Sequence, residues 1–162
     1  MAPRIVVVTG ASGAGKTTVV TRIAARHIAG VTCAFFDSVG VPPPDQMPFD
    51  WQDKTTIEWI RRLAREPADI AVLDGQTRPT FALRAFTEIG VRGSVVLIDC
   101  VRDVRTVRLG ARGQPELATD DMHAWAAYLR GQADALGLPV IDTSDLGIEQ
   151  ATDALLACVI QE

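Results

Sequence analysis

Residues 5–20 read IVVVTGASGAGKTTVV, and the fold follows from them. Ile5 to Thr9 form a β-branched apolar run, the composition of a strand buried on both faces. Gly10 to Thr17 then satisfy the pattern G-x-x-x-x-G-K-[ST], and Lys16 opens a stretch with helical spacing. The strand–turn–helix setting gives each residue type a chemical purpose. Glycines let the chain turn tightly and bring backbone N–H groups close to anionic oxygens. The amino end of the following helix adds a partial positive charge. A lysine reaches the β and γ phosphates of a nucleoside triphosphate as a point charge, and the hydroxyl of Thr17 suits Mg²⁺. The segment is therefore read as a phosphate cradle made of Gly10, Ala11, Ser12, Gly13, Ala14, Gly15, Lys16, Thr17 and Thr18.

Outward from this segment, four further apolar runs recur: Thr32–Asp37, Asp69–Asp74, Ser94–Cys100 and Leu138–Asp142. Each carries an Asp at or near its carboxyl end. Between the runs the apolar residues follow helical spacing, over 16–29, 52–66, from Pro79 to a stop at Gly90, 119–136 and 148–160. Strand and helix in alternation predict an α/β domain of three layers: a five-stranded parallel sheet with helices on both faces. In such sheets ligands gather at the carboxyl ends of the strands, where the acids of this sequence lie. The whole chain, 1–162, reads as one domain. A Pro-rich segment, SVGVPPPDQMPFD at 38–50, forbids regular structure and predicts a stiff acceptor-side loop over about 38–53.

The net charge of −4 disfavours a nucleic acid polymer as partner, because gripping its backbone needs clustered cations. No apolar stretch approaches the length of a membrane span, so no membrane partner is expected. Cys33, Cys100 and Cys158 lack metal-ligand spacing and read as small packed hydrophobes. A cytoplasmic protein is expected, as monomer or homodimer.

Two carboxylates and a set of arginines extend the site. Asp74 ends a hydrophobic strand and could hold Mg²⁺ through water, together with Thr17. Asp37 ends another and could accept a proton from a substrate hydroxyl. Which acid is base and which is metal helper stays open at this stage, and either could instead cap the following turn. Arg78, in Asp74-Gly-Gln-Thr-Arg78, could clamp an anionic or hydroxylated acceptor. Arg105, Arg108 and Arg112 are spaced three and four apart and share one helical face. A planar guanidinium binds phosphate bidentately and neutralises charge during transfer.

The cradle, Asp37, the Asp74–Arg78 turn, the Arg108-Leu-Gly-Ala-Arg112 segment and the strand Val140-Ile-Asp-Thr-Ser144 together resemble the P-loop small-molecule and nucleotide kinases. That superfamily includes nucleoside monophosphate kinases, shikimate and gluconate kinases and chloramphenicol phosphotransferase. The resemblance implies an ATP-dependent phosphotransferase, with ATP and Mg²⁺ as cofactors. Its acceptor would be a small molecule bearing a hydroxyl or a phosphate. It makes Lys16, Asp37, Arg108 and Arg112 catalytic and gives Arg108 and Arg112 to a short lid over about 105–118. Thr143 and Ser144 become neighbours of the adenine; Asp37, Asp74 and Arg78 border the acceptor. The chain departs from the pattern in its short lid and in an acceptor region that matches no familiar signature. The competing reading is a non-transferring NTPase or nucleotide switch.

Some residues read as structural. His27 falls on the apolar stripe of the first helix and reads as a packed core histidine, whereas His123, among acids at a helix start, reads as solvated. Trp59 and Trp125 read as packing. Phe49 and Trp51 either line an acceptor pocket or cover the core. Asp99 and Asp142 read as turn caps.

Overall fold

The computed structural model describes residues 1–161. Its centre is the strand predicted first, β1 (Arg4–Thr9), flanked by β3 (Ile70–Asp74) and β4 (Gly93–Asp99). β2 (Val31–Phe35) and β5 (Val140–Asp142) complete a five-stranded, all-parallel sheet in the order β2-β3-β1-β4-β5. Six α-helices connect and cover it: α1 (Lys16–Ala25), α2 (Trp51–Leu63), α3 (Pro79–Ile89), α4 (Arg102–Ala111), α5 (Asp120–Leu136) and α6 (Ile148–Ile160).

The two-residue period of the strands sorts the core onto two faces. Val6, Val8, Val72, Val96 and Ile98 meet Val20 and Ile23 of α1 and Leu155 and Val159 of α6. Ile5, Val7, Ala71, Leu73 and Val95 meet Trp59 and Ile60 of α2 and Ala85 and Phe86 of α3. Ile5 to Val8 are wholly buried, which explains why β1 reads as an unbroken apolar run. Each such buried Val or Ile contributes about 1.5–3 kcal/mol relative to exposure. Leu129 and Ala133 of α5 pack on Leu97 at the β4 side.

Register brings the chemistry to one edge. Val8 pairs with Asp74 and Thr9 with Leu97, so the Asp74 carboxylate arrives beside the start of the phosphate cradle. The Thr9 hydroxyl donates to the Thr77 carbonyl (2.8 Å), and the buried Thr56 and Thr77 hydroxyls bond each other (2.7 Å). This chain of buried hydroxyls pins the turn after β3 to both β1 and α2.

Several boundaries and residues differ from expectation. α1 stops at Ala25 rather than near Ala29: the Arg26 and His27 amides reach back only three residues, to the Ile23 and Ala24 carbonyls, and the chain then turns left-handed at His27. His27 therefore leaves the helical stripe; it is exposed, in a left-handed conformation (φ 48°), and no core histidine. β2 ends at Phe35, and Asp37 sits one residue into a 3-10 turn, Phe36–Val39. Ile148 starts α6 as expected but is exposed rather than docked. The Pro-rich segment is irregular and mostly exposed up to Asp50, where α2 takes over. The expected lid is half helix: Arg105–Ala111 belong to α4, and only the stretch from Arg112 through a 3-10 turn, Pro115–Leu117, is loop. Among the described residues, no helix is long and apolar enough to cross a membrane.

Candidate functional site

The cradle after β1 needs glycine for two separate reasons. A side chain at Gly10 would collide with the Ile98 carbonyl oxygen of β4. At Gly13, φ is +85°, and an added Cβ would lie 2.8 Å from Arg105 Cγ. Backbone closeness and left-handed geometry are what let the turn wrap around an anion.

At the foot of the cradle, the Thr17 hydroxyl donates to Asp74 Oδ2 (2.7 Å), and Lys16 Nζ stands 3.3 Å from Asp74 Oδ1. Asp74 is 4% exposed and Lys16 8%. Oδ1 receives no hydrogen bond among the described residues; its contact with Lys16 is an ion pair whose geometry falls short of a hydrogen bond. A hydroxyl, an ammonium and a buried, under-satisfied carboxylate thus converge on one point. The hydroxyl and carboxylate oxygens fit a hydrated Mg²⁺ that also binds phosphate, since such an ion takes one or two protein oxygens and keeps several waters; the ammonium would face the phosphate.

Two cavities of about 260 Å³ each meet at the cradle. The polar one is lined by Ser12, Lys16 and Thr17 of the cradle, by Asp37 and Gln76 on one side, and by Arg112, Gln114 and Leu117 on the other. The Asp37 carboxylate, Lys16, Thr17 and Arg112 therefore share one space, although they come from three distant stretches of chain. Asp37 itself is exposed and belongs to a turn, so it is free to approach a small molecule.

The second cavity is a groove with apolar walls, running from Gly13–Gly15 past Arg108, Arg112 and Thr143 to Leu146, Ile148 and Ala151. Arg108 fastens its floor. Nη1 donates to the Thr143 hydroxyl (2.7 Å) and the Ala14 carbonyl (3.1 Å), and Nη2 to the Thr143 carbonyl (2.6 Å). The Thr143 hydroxyl in turn donates to Ala14 O (2.7 Å). Ser144 does not line the groove: its hydroxyl accepts from the Val101 amide (2.9 Å) and belongs to the turn. Asp142 caps that turn, and hydrogen bonds from the Ser144 hydroxyl and amide hold its carboxyl below the usual range.

Arg105, Arg108 and Arg112 part company. Arg105 is buried under the cradle, with Nη2 bonded to the Cys100 carbonyl (2.9 Å) and Asp99 (3.3 Å), so it is a structural strut. Its Nη1 meets His123 Nδ1 at 3.2 Å. His123 is accordingly half-enclosed rather than solvated, and burial, then Arg102 and Arg105, lower its pKa. Arg112 follows the helix end, is exposed and borders both cavities. Asp99 is less a turn cap than the shared partner of Arg105 and Arg130. Burial pushes the Cys33 thiol up to about 11 and raises Cys100 as well, which suits packed rather than reactive thiols.

Arg78 lies beside the polar cavity, not in its lining. Nη1 donates to Gln52 Oε1 (3.0 Å), and its guanidinium stands over Phe81, Trp125 and Tyr128 at 5.4 to 5.8 Å. Trp51 lines a separate groove with Val39 and Trp59, whereas Phe49 projects fully into solvent. Sequence reasoning missed Gln76, Gln114 and the groove residues Leu146, Ile148 and Ala151. Gln76 was discoverable from its place in the turn after β3; the groove residues were hidden because an apolar ligand wall and a core stripe read alike.

No protein-family model matches the chain, and no curated protein is similar to it in sequence. Solved structures do share its fold. A tunicamycin resistance protein from Deinococcus radiodurans superposes with a TM-score of 0.73 at 19% identity, covering 100% of this chain and 98% of that one. Shikimate kinase from Acinetobacter baumannii, in complex with shikimate, gives 0.63 at 18% identity, covering 99% and 94%. The Mycobacterium tuberculosis APS kinase, in complex with AMPPNP and APS, gives 0.58 at 18%, covering 97% and 98%. The chain has the P-loop kinase-like fold, the architecture expected from residues 5–20.

Proposed function

We propose that this protein is an ATP-dependent phosphotransferase that moves the γ-phosphoryl group to a hydroxyl or phosphate of a small molecule. The observation that carries the reading is the shared polar cavity, in which an exposed carboxylate, Asp37, borders the same space as Lys16, Thr17 and Arg112. A nucleotide switch needs a group that orients water; a transferase needs a base beside an acceptor space and cations around the phosphates.

The roles follow from position. Backbone amides of Gly10–Thr17 and the α1 amino end bind the phosphates, and Lys16 neutralises them. Thr17 and Asp74 would hold Mg²⁺, which when bound screens the charge of the phosphate oxygens. The groove bounded by Thr143, Leu146, Ile148 and Ala151 takes the base, and Arg108 keeps its floor closed. Arg112, at the junction of the two cavities, is placed to follow charge on the transferring group. Asp37 is the base: it accepts the acceptor's hydroxyl proton while Asp74, buried against Thr17 and Lys16, stays with the metal. Of the two acids only Asp37 is open to a small molecule. Catalysis here is mainly positioning and electrostatics.

The test is ADP release with a panel of small hydroxyl and phosphate compounds. At least one compound is expected to raise the slow basal rate. Asp37→Asn is expected to lower transfer by about 10²–10⁴-fold and leave triphosphate binding intact. Acceleration by a macromolecular partner alone, with no effect of any small acceptor, would replace this reading with the switch.

A further inference from the structure

Gln76 is an unusual neighbour for a phosphate cradle, because its side chain is bonded at both ends. The Trp125 indole Nε1–H of α5 donates to Gln76 Oε1 (3.0 Å). Gln76 Nε2 donates to Ser12 Oγ in the cradle (2.9 Å). An indole N–H can only donate, so it accepts one orientation of the amide and rejects the other, in which two donors would face each other. The amide nitrogen is therefore forced toward Ser12. With the reverse orientation, Gln76 Oε1 would take the Ser12 hydroxyl hydrogen for itself. As built, Ser12 accepts from Gln76 and keeps its own O–H to give away, in a cavity it shares with Lys16, Thr17 and Arg112.

We propose that Gln76, locked by Trp125, is a positioning residue that turns the Ser12 hydroxyl into a donor for the terminal phosphate. The proposal rests on the nucleotide-binding reading above and deepens it, giving the site a means of telling a triphosphate from a diphosphate. Trp125 also lies under Arg78 and stacks with Tyr128 (centroids 5.6 Å apart), so the lock is anchored in the aromatic cluster next to the acceptor side. The Gln76 backbone is held too, its carbonyl accepting from Gln52 Nε2 (3.3 Å). The turn is thus fixed and only the amide's orientation is left for Trp125 to decide.

The experiment is calorimetry of the full chain with Mg²⁺ and either a non-hydrolysable ATP analogue or ADP. The wild type is expected to favour the triphosphate. Ser12→Ala and Gln76→Ala should each reduce that preference roughly tenfold, the loss of one hydrogen bond to a charged group, without moving ADP affinity. The double variant should be no worse than either single, since both remove one interaction. Trp125→Phe, which keeps the ring and deletes only the donor, should weaken the preference in the same direction, and Ser12→Thr should retain it. Unchanged preference in Ser12→Ala or Trp125→Phe, or additive losses in the double variant, would overturn the proposal. A wild type that binds neither nucleotide would instead sink the nucleotide reading itself, and Lys16→Ala, losing both ligands, separates the two cases.

Discussion

On the proposed reading the molecule has a nucleotide side and an acceptor side, and the two are built to different standards. On the nucleotide side, Arg112 apart, the charged side chains are also structural ones: Asp74 is buried in the sheet edge, Arg108 ties α4 to Thr143 and Ala14, and Arg105 props Gly13 from below. On the acceptor side Asp37 is exposed, the Pro-rich segment is mostly exposed, and Phe49 is fully exposed. One half is packed into the core; the other leaves surface free to vary. The difference teaches that a residue's coupling to the core, and not its distance from the phosphates, decides whether its loss damages the fold.

The strongest way to break this comparison is Lys16→Ala. It should reduce turnover by roughly 10²–10³-fold. It should also lower Tm, because Asp74 is left buried without its cation, at a cost of about 3 kcal/mol or more. At this chain length that is roughly 6–12 °C by thermal denaturation. If Lys16→Ala melts like the wild type, the nucleotide side is not coupled to the fold. Arg108→Ala tests the same point more gently. Triphosphate affinity is expected to fall about tenfold, with a loss near 1–3 kcal/mol in stability, as the Thr143 and Ala14 acceptors lose a charged donor. Equilibrium unfolding in urea read beside calorimetry gives both numbers. The smallest effect belongs to the acceptor side. Phe49→Ser should leave stability within about 0.5 kcal/mol. A change confined to the acceptor's KM would show the loop at work; a drop in stability would show that Phe49 packs after all.

These contrasts also explain what could be read from the amino acids. Strand–turn–helix chemistry at 5–20 is local, and the continuous apolar runs report burial on both sheet faces, so sheet, layers and cradle were legible. α6 lies between the bounds expected, 148–160, because a glycine and a strong apolar period mark it. Periodicity misled wherever a tertiary partner intervened. His27 stayed on a stripe only if α1 ran on, and its left-handed backbone shows where the helix instead ends, beside the Arg26 ion pairs with α6. Arg105, Arg108 and Arg112 look alike as a spaced row, yet one lies under the cradle, one bolts the groove and one is free; spacing cannot separate faces that differ only in what packs above them. Thr143 and Ser144 were indistinguishable as neighbours, and the turn capped by Asp142 directs only Thr143 into the groove. The place of Gln76 in the turn after β3 could be read, but its bond to Trp125, 49 residues away, could not.

The sheet order has a consequence for biogenesis. β1 and its cradle are made first and lie in the centre of the sheet, while the groove wall is supplied by Thr143 to Ala151, after β5. On the proposed reading, a growing chain on the ribosome would hold a phosphate grip long before it had anywhere to put the purine. Nascent chains that lack this late wall should be blind to adenosine, and ligand-assisted folding can begin only once α6 has emerged.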